Sequence, residues 1–312
     1  PSNYHGWGKS KRYFEGWYYK LINLDEDHAF AIIPGIAMDR NGIKQAFIQV
    51  LDGKKLTAEY HKFDAHSFVP DPSKFEVSIE DNFFSKDRLK LNLPTIKADL
   101  QFKQMKPWPS SVYSPGIMGP FSFVPFLECR HGVLSLDHEI YGEIEYKNTV
   151  INFDMGRGYM EKDWGSSFPS AYIWMQSNHF EKMGISFKAS VAKIPFMGTS
   201  FIGFIAGLYF NEKLIQFTTY NFTRLKKSYA DENSVEIILG NFRHTLIVTA
   251  ERKEATSLAS PIAGFMDGRI EESMEAILEV ELIDNRSGKQ LFKGRGRNAG
   301  LEVAGNIKEI IV

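Results

Sequence analysis

Apolar and polar residues alternate along most of the chain. Phe75, Val77 and Ile79 are separated by polar positions, as are Leu89, Leu91 and Leu93, and then Ile96, Ala98, Leu100 and Phe102. The period of two returns at Ile144 and Tyr146, in residues 150–153, and in residues 235–239, 246–248 and 277–282. Such alternation, bounded by Gly, Asn, Asp and Pro, predicts half-buried strands. Asp39-Arg40-Asn41-Gly42, Asp52-Gly53 and Asn211-Glu212-Lys213 are expected hairpin turns. Helical periodicity is scarce, and one short helix is expected over residues 268–274. The pattern predicts an all-β chain of antiparallel barrels or sandwiches with little helix, not βαβ units.

The middle of the chain breaks the pattern. Residues 106–125 carry Pro107, Pro109, Pro115, Pro120 and Pro125 among Trp108, Tyr113, Phe121 and Phe123. Proline removes ladder donors, so this stretch is expected to be an ordered crossover, walling a pocket or covering a core. Residues 194–210 form the longest uncharged run, interrupted by Pro195, Gly198, Gly203 and Gly207. Two strands around a glycine-rich turn are expected there, with a peripheral membrane contact as the rival reading. The opening residues are not a charged start followed by an apolar run, so no secretory leader is expected and a cytoplasmic location is.

Composition narrows the chemistry. At 312 residues the chain has room for about two domains. A single cysteine, Cys129, excludes an intrachain disulfide framework and any multi-cysteine metal centre. The 37 basic and 38 acidic residues leave a net charge of −1, so no global field recruits nucleic acid. The glycine patterns at 156–158 and 294–300 lack dinucleotide-binding spacing. Glu128, Cys129 and His131, with Asp137, His138 and Glu139, gather ligand types, but strand alternation splits them between faces, and no metal site is expected. Aromatics make up 14% of the chain, which suits either a greasy cavity or an aromatic core.

Two segments stand apart. In 13–20, Glu15, Trp17 and Tyr19 share one strand face. In 158–165, Glu161 and Asp163 share a face while Lys162 points away; beyond it Tyr172, Trp174, Gln176 and Asn178 also fall on one face. Carboxylates among aromatics are costly to bury unless paired or protonated. They therefore mark either a poised acid or a structural polar network.

The motifs Phe14-Glu15-Gly16-Trp17-Tyr18, Gly158-Tyr159-Met160-Glu161-Lys162-Asp163-Trp164-Gly165 and Met118-Gly119-Pro120-Phe121-Ser122-Phe123, together with 296–305, resemble the tocopherol cyclase family. The resemblance implies two lipocalin-like β domains, expected at 1–157, including the 106–125 crossover, and at 158–312. It implies acid-catalysed ring closure of a prenylated hydroquinone to a chromanol, with no cofactor or metal and a hydrophobic isoprenoid ligand as partner. Glu161 or Asp163 would then be the proton donor, with Glu15 the alternative acid. Trp17, Trp164 and Trp174 would line the pocket or face the cation, and Gln176 and Asn178 would orient the hydroquinone hydroxyls. Tyr19, Phe121 and Phe123 would complete the pocket. A non-catalytic isoprenoid carrier and a hydratase or cyclase for another isoprenoid remain the alternatives.

Overall fold

The alternating segments become strands throughout. The computed structural model describes residues 2–125, 127–196 and 198–312. The first sheet contains β1 (Tyr13–Ile22), β2 (Ala29–Met38), β3 (Lys44–Asp52), β4 (Thr57–Asp64), β5 (Phe68–Pro70), β6 (Glu76–Ile79), β7 (Asn82–Ser85), β8 (Arg88–Asn92), β9 (Ile96–Lys103), β10 (Cys129–Tyr146), β11 (Thr149–Asn152) and β12 (Gly156–Gly165). Its order is β4-β3-β2-β1-β12-β10-β9-β8-β7-β6-β5, with β11 on β10. The second contains β13 (Ala171–Ser177), β14 (Ser186–Phe196), β15 (Thr199–Phe210), β16 (Lys213–Thr218), β17 (Arg224–Ala230), β18 (Ser234–Gly240), β19 (His244–Glu251), β20 (Thr256–Ile262), β21 (Phe265–Asp284) and β22 (Gln290–Gly305). Its order is β16-β15-β14-β13-β22-β21-β19-β18-β17, with β20 on β21. Both are antiparallel, in the two-domain lipocalin-like arrangement.

The three expected turns join β2 to β3, β3 to β4 and β15 to β16. Of the uncharged run, residues 194–196 end β14 and 199–210 form β15, while residue 197 lies outside the described residues. No helix among the described residues is long and apolar enough to cross a membrane. The short helix expected over 268–274 is instead part of β21. There Ser273, Ala276 and Leu278 meet β22 through register shifts, and these bulges blur the alternation that marks the other strands.

Each sheet wraps its own core. In the first, Trp17, Tyr19, Phe30, Phe84, Leu100 and Met160 are among the side chains turned inward. In the second, Ile173, Met175, Phe187, Val248 and Leu278 do the same. By contacts the first unit comprises residues 1–122, 128–168 and 258–269, and the second 123–127, 169–257 and 270–312. The boundary expected at 157/158 falls within β12, which is laddered to β1 and β10.

Residues 258–269, the tip of the β20–β21 hairpin, cover the outer face of β2 and β3. Met266 packs there with Ala37 and Phe47, and Gln49 both donates to and accepts from the Ala259 backbone, at 3.1 and 2.9 Å. Gly264, at φ +90°, sits where a Cβ would meet Met38 O and Tyr13 N at 2.2 Å. Only glycine lets the turn approach this closely, and Met38 N donates to Gly264 O at 2.9 Å.

A histidine is also buried in the first unit. His138 packs against Phe102 and over Gly158, and neither ring nitrogen has a hydrogen-bond partner. Burial, reinforced by the Arg157 charge, pushes its pKa down from 6.5 to about 3. The imidazole is therefore held neutral in the folded protein and takes up a proton on unfolding below 6.5. Its effect is absent above pH 6.5, and stability falls as pH drops from there toward about 3. The His138→Leu variant is expected to show a shallower loss over that interval, by up to one proton; urea titrations at pH 7 and pH 4 measure it.

Candidate functional site

β12 runs between β1 and β10, and its alternation presents two different chemistries. Tyr18 of β1 and Val133 of β10 lie opposite Glu161, while Gly16 and His131 lie opposite Asp163. Directly opposed residues share a face, so Glu161, Asp163, His131 and Tyr18 lie together on the outer side of the first sheet. Trp17 lies opposite Lys162 and Glu15 opposite Trp164, on the inner side.

The outer cluster is a connected chain of titratable groups. His131 Nδ1 and Asp163 Oδ1 are 2.8 Å apart, which assigns the Nδ1 proton to that bond. The other ring nitrogen, Nε2, stands 3.4 Å from Glu161 Oε2. The Tyr159 hydroxyl donates to that same carboxylate oxygen, and burial followed by the Glu161 charge pushes the Tyr159 phenol up. Cys129 Sγ lies 4.0 Å from Asp163 Oδ1; burial first, then Asp163 and Glu161, raise its pKa, so it is a neutral thiol and not a nucleophile. The cluster is reachable: the side chains of His131 and Asp163 are 15% and 22% exposed. Phe14 and Phe168 meet edge-on at 5.4 Å on this side of β1.

The donor atoms of His131, Glu161 and Asp163 all lie within 4.8 Å of one another and could hold a divalent cation. The other ligand-type residues do not join them. Asp137 is paired with Arg157, and His138 lies in the core.

The inner cluster is sealed. Lys162 and Glu15 form an ion pair with both side chains at 0% exposure. Burial pushes the Glu15 carboxyl up, but hydrogen bonds from His5 and the charge and hydrogen bond of Lys162 outweigh it, with the Tyr13 hydroxyl adding to them, so the net shift is downward. Burial lowers Lys162 to about 8, against the opposing pull of Glu15. Its ammonium stands 4.7 and 4.9 Å from the rings of Trp17 and Trp164. Tyr19, on the same face, donates to Ser85 O at 2.8 Å.

The candidates read from sequence thus divide. Glu161 and Asp163 share a face, with His131 hydrogen-bonded to Asp163 and its other ring nitrogen 3.4 Å from Glu161. Glu15, Trp17, Tyr19 and Trp164 lie across the sheet from them, so the two groups do not line one cavity. In the second unit, Trp174 and Gln176 lie on β13 opposite the face that enters the core, Asn178 follows one residue past its end, and all three are buried. A Cβ on Gly300 would meet the Trp174 ring at 2.6 Å, so glycine seats that indole. Tyr172, on the same face, donates to Glu302 at 2.7 Å, and Asn178 Oδ1 lies 3.0 Å from His179 Nδ1. Phe121 is half-buried and Phe123 is 64% exposed.

His131 is the residue that sequence reasoning set aside. Its partners are 30 and 32 positions away, and a register shift between Val133 and Ser135 fixes the pairing that brings them together. The Tyr159-x-Glu161-x-Asp163 alternation was the available signal.

The buried ion pair gives a testable expectation. Lys162→Met and Glu15→Gln should each destabilise the protein by about 3–5 kcal/mol, because each strands a buried charge. The double variant should recover much of that loss, and a double-mutant cycle in urea measures the coupling.

The family model described as tocopherol cyclase-like matches residues 92–305, more than half of the chain. A chloroplastic protein of Oryza sativa subsp. japonica, named as a probable tocopherol cyclase, is 21% identical over 373 aligned positions, covering 97% of this chain and 78% of its own. Among solved structures, CghA bound to Sch210972 superposes with a TM-score of 0.57 at 12% identity, covering 95% of this chain and 89% of its own. A candidate AttH from Nitrosomonas europaea gives 0.56 at 14% identity, covering 94% and 92%. At these identities the two structures share the fold.

Proposed function

The chain belongs to the tocopherol cyclase-like family, and from that premise we propose that it is a cyclase that closes a chroman ring on a prenylated hydroquinone by proton transfer. The observation that carries the reading is the Tyr159–Glu161–His131–Asp163 chain on the outer face of β12. It combines a buried carboxyl group, an imidazole of fixed tautomer and a route to solvent.

In this reading Glu161 takes up a proton as the apolar substrate displaces water beside it, and donates that proton to the trisubstituted alkene. The phenol oxygen captures the tertiary cation as the new C–O bond forms. His131 Nε2 takes the phenol proton and returns it to Glu161, so the reaction is an isomerisation with no net proton change. Asp163 positions His131 by accepting from Nδ1. General acid–base transfer of this kind contributes about 10²–10⁴-fold. Tyr18, Phe14 and Phe168, on the same face, offer aromatic surface to the cation, a desolvated ring contributing about 2 kcal/mol. Glu15 is a poor acid by comparison, because Lys162 and His5 hold it ionised. The substrate class comes from the family, and peripheral contact with a lipid surface would give access to it.

The test is anaerobic incubation of the protein with a prenylated hydroquinone, followed by chromatography and mass spectrometry. The expected product has a new retention time at unchanged mass. Glu161→Gln should abolish it, and Asp163→Asn should lower the rate by about 10²-fold or more. Quinol recovered bound but unreacted would support an isoprenoid carrier instead.

A further inference from the structure

Residues 2–7 precede the first strand and join no β-ladder, yet they supply contacts to the interior of the first barrel. Tyr4 is buried in the core and meets Phe68 edge-on at 5.3 Å. The Trp17 indole donates to Ser2 O at 3.1 Å, and Lys162 Nζ donates to Asn3 O. His5 N donates to both Glu15 oxygens at 3.0 Å. The His5 ring stacks on Trp164 at 4.3 Å, with the planes 5° apart, and its Nδ1 lies 2.8 Å from Lys162 Nζ. A Cβ on Gly6 would fall 2.2 Å from the Tyr4 hydroxyl, so only glycine lets the segment fold back over that ring. The outer anchor is Asn3 Nδ2, which donates to Ser73 O at 2.9 Å.

What the barrel contributes here is specific: a buried ammonium, an indole N–H, a carboxylate and a flat indole face. What the segment contributes is generic: carbonyl acceptors, an N–H donor and a planar ring. A small molecule with the same three features would satisfy the same partners. We propose that residues 2–7 form a strap over a ligand site within the first barrel, and that this site takes a flat aromatic compound bearing a carbonyl acceptor and a hydroxyl donor. The ring replaces His5 on Trp164, the carbonyl accepts from Lys162 and Trp17, and the hydroxyl donates to Glu15. Glu15 and Lys162 remain paired with each other when the strap leaves, so opening strands neither charge. No ladder hydrogen bond is broken. The site lies across the sheet from Glu161 and does not rest on the role given to that residue.

The probe is 7-hydroxycoumarin, which carries a planar ring, a lactone carbonyl and a phenol donor. Binding to the full chain is read by energy transfer from tryptophan to the coumarin. Tyr4→Ala loosens the strap and should tighten binding roughly tenfold, because the open fraction rises. An Asn3→Cys/Ser73→Cys variant, its cross-link verified by mass, should bind roughly tenfold more weakly when oxidised than after reduction, because the closed strap is then locked. 7-Methoxycoumarin, which cannot donate to Glu15, should bind more weakly than 7-hydroxycoumarin to every variant. Equal binding by the oxidised and reduced forms would overturn the proposal. So would equal binding of the two coumarins, or no binding by either the parent or the Tyr4→Ala protein.

Discussion

Successive side chains of an extended strand leave opposite sides of the sheet, and the candidate site depends on how β12 uses that constraint. Glu161 and Asp163 emerge on one side, and Lys162, the residue between them, on the other. A lysine sharing their face would tie up both carboxylates. Directed inward, it is matched by Glu15 instead. Two acids are thereby left available to a histidine and a tyrosine, on the side of the sheet away from the ion pair, although the Asp163 charge is still felt by Lys162.

This separation has an energetic cost that the first barrel offsets locally. Removing an ammonium and a carboxylate from water costs several kcal/mol per ion, and their attraction offsets that only with good geometry and further hydrogen bonds. Here the carboxylate also accepts from His5 and Tyr13, and the ammonium faces two indoles. Among the described residues the second core shows no such ion pair, and there Ile173, Met175 and Phe187 meet other apolar side chains. Gln176 and Lys188 are buried on the opposite face of its strands.

Much of this was legible in the sequence because a period of two is local. The strand assignments, the hairpin turns, the shared face of Glu161 and Asp163 and the opposed direction of Lys162 all follow from alternation within ten residues. The family motifs carried the pairing of lipocalin-like domains, which composition alone did not. What alternation cannot supply is which strands become neighbours. Trp164 shares the family motif with the acids, yet one position of offset sends it across the sheet to Glu15. His131 was set aside because its own neighbours in sequence diverge; its true partners arrive through a ladder between β10 and β12 with an irregular register. The helix expected over 268–274 failed for a related reason, since bulges in β21 interrupt the pattern that identifies a strand.

The hairpin tip at residues 258–269 belongs by its contacts to the first unit, although nearly ninety residues of the second separate it from residue 168. Synthesis delivers a chain from its N-terminus, and domains generally fold as they emerge. The first unit cannot do so completely. The outer face of β2 and β3, with Phe47 and Ala37, stays uncovered until the ribosome has released residue 269. For that interval the nascent protein carries an apolar patch that only its own later sequence can close. The two halves therefore mature together rather than in turn, and a gene fragment ending between them would encode neither one whole.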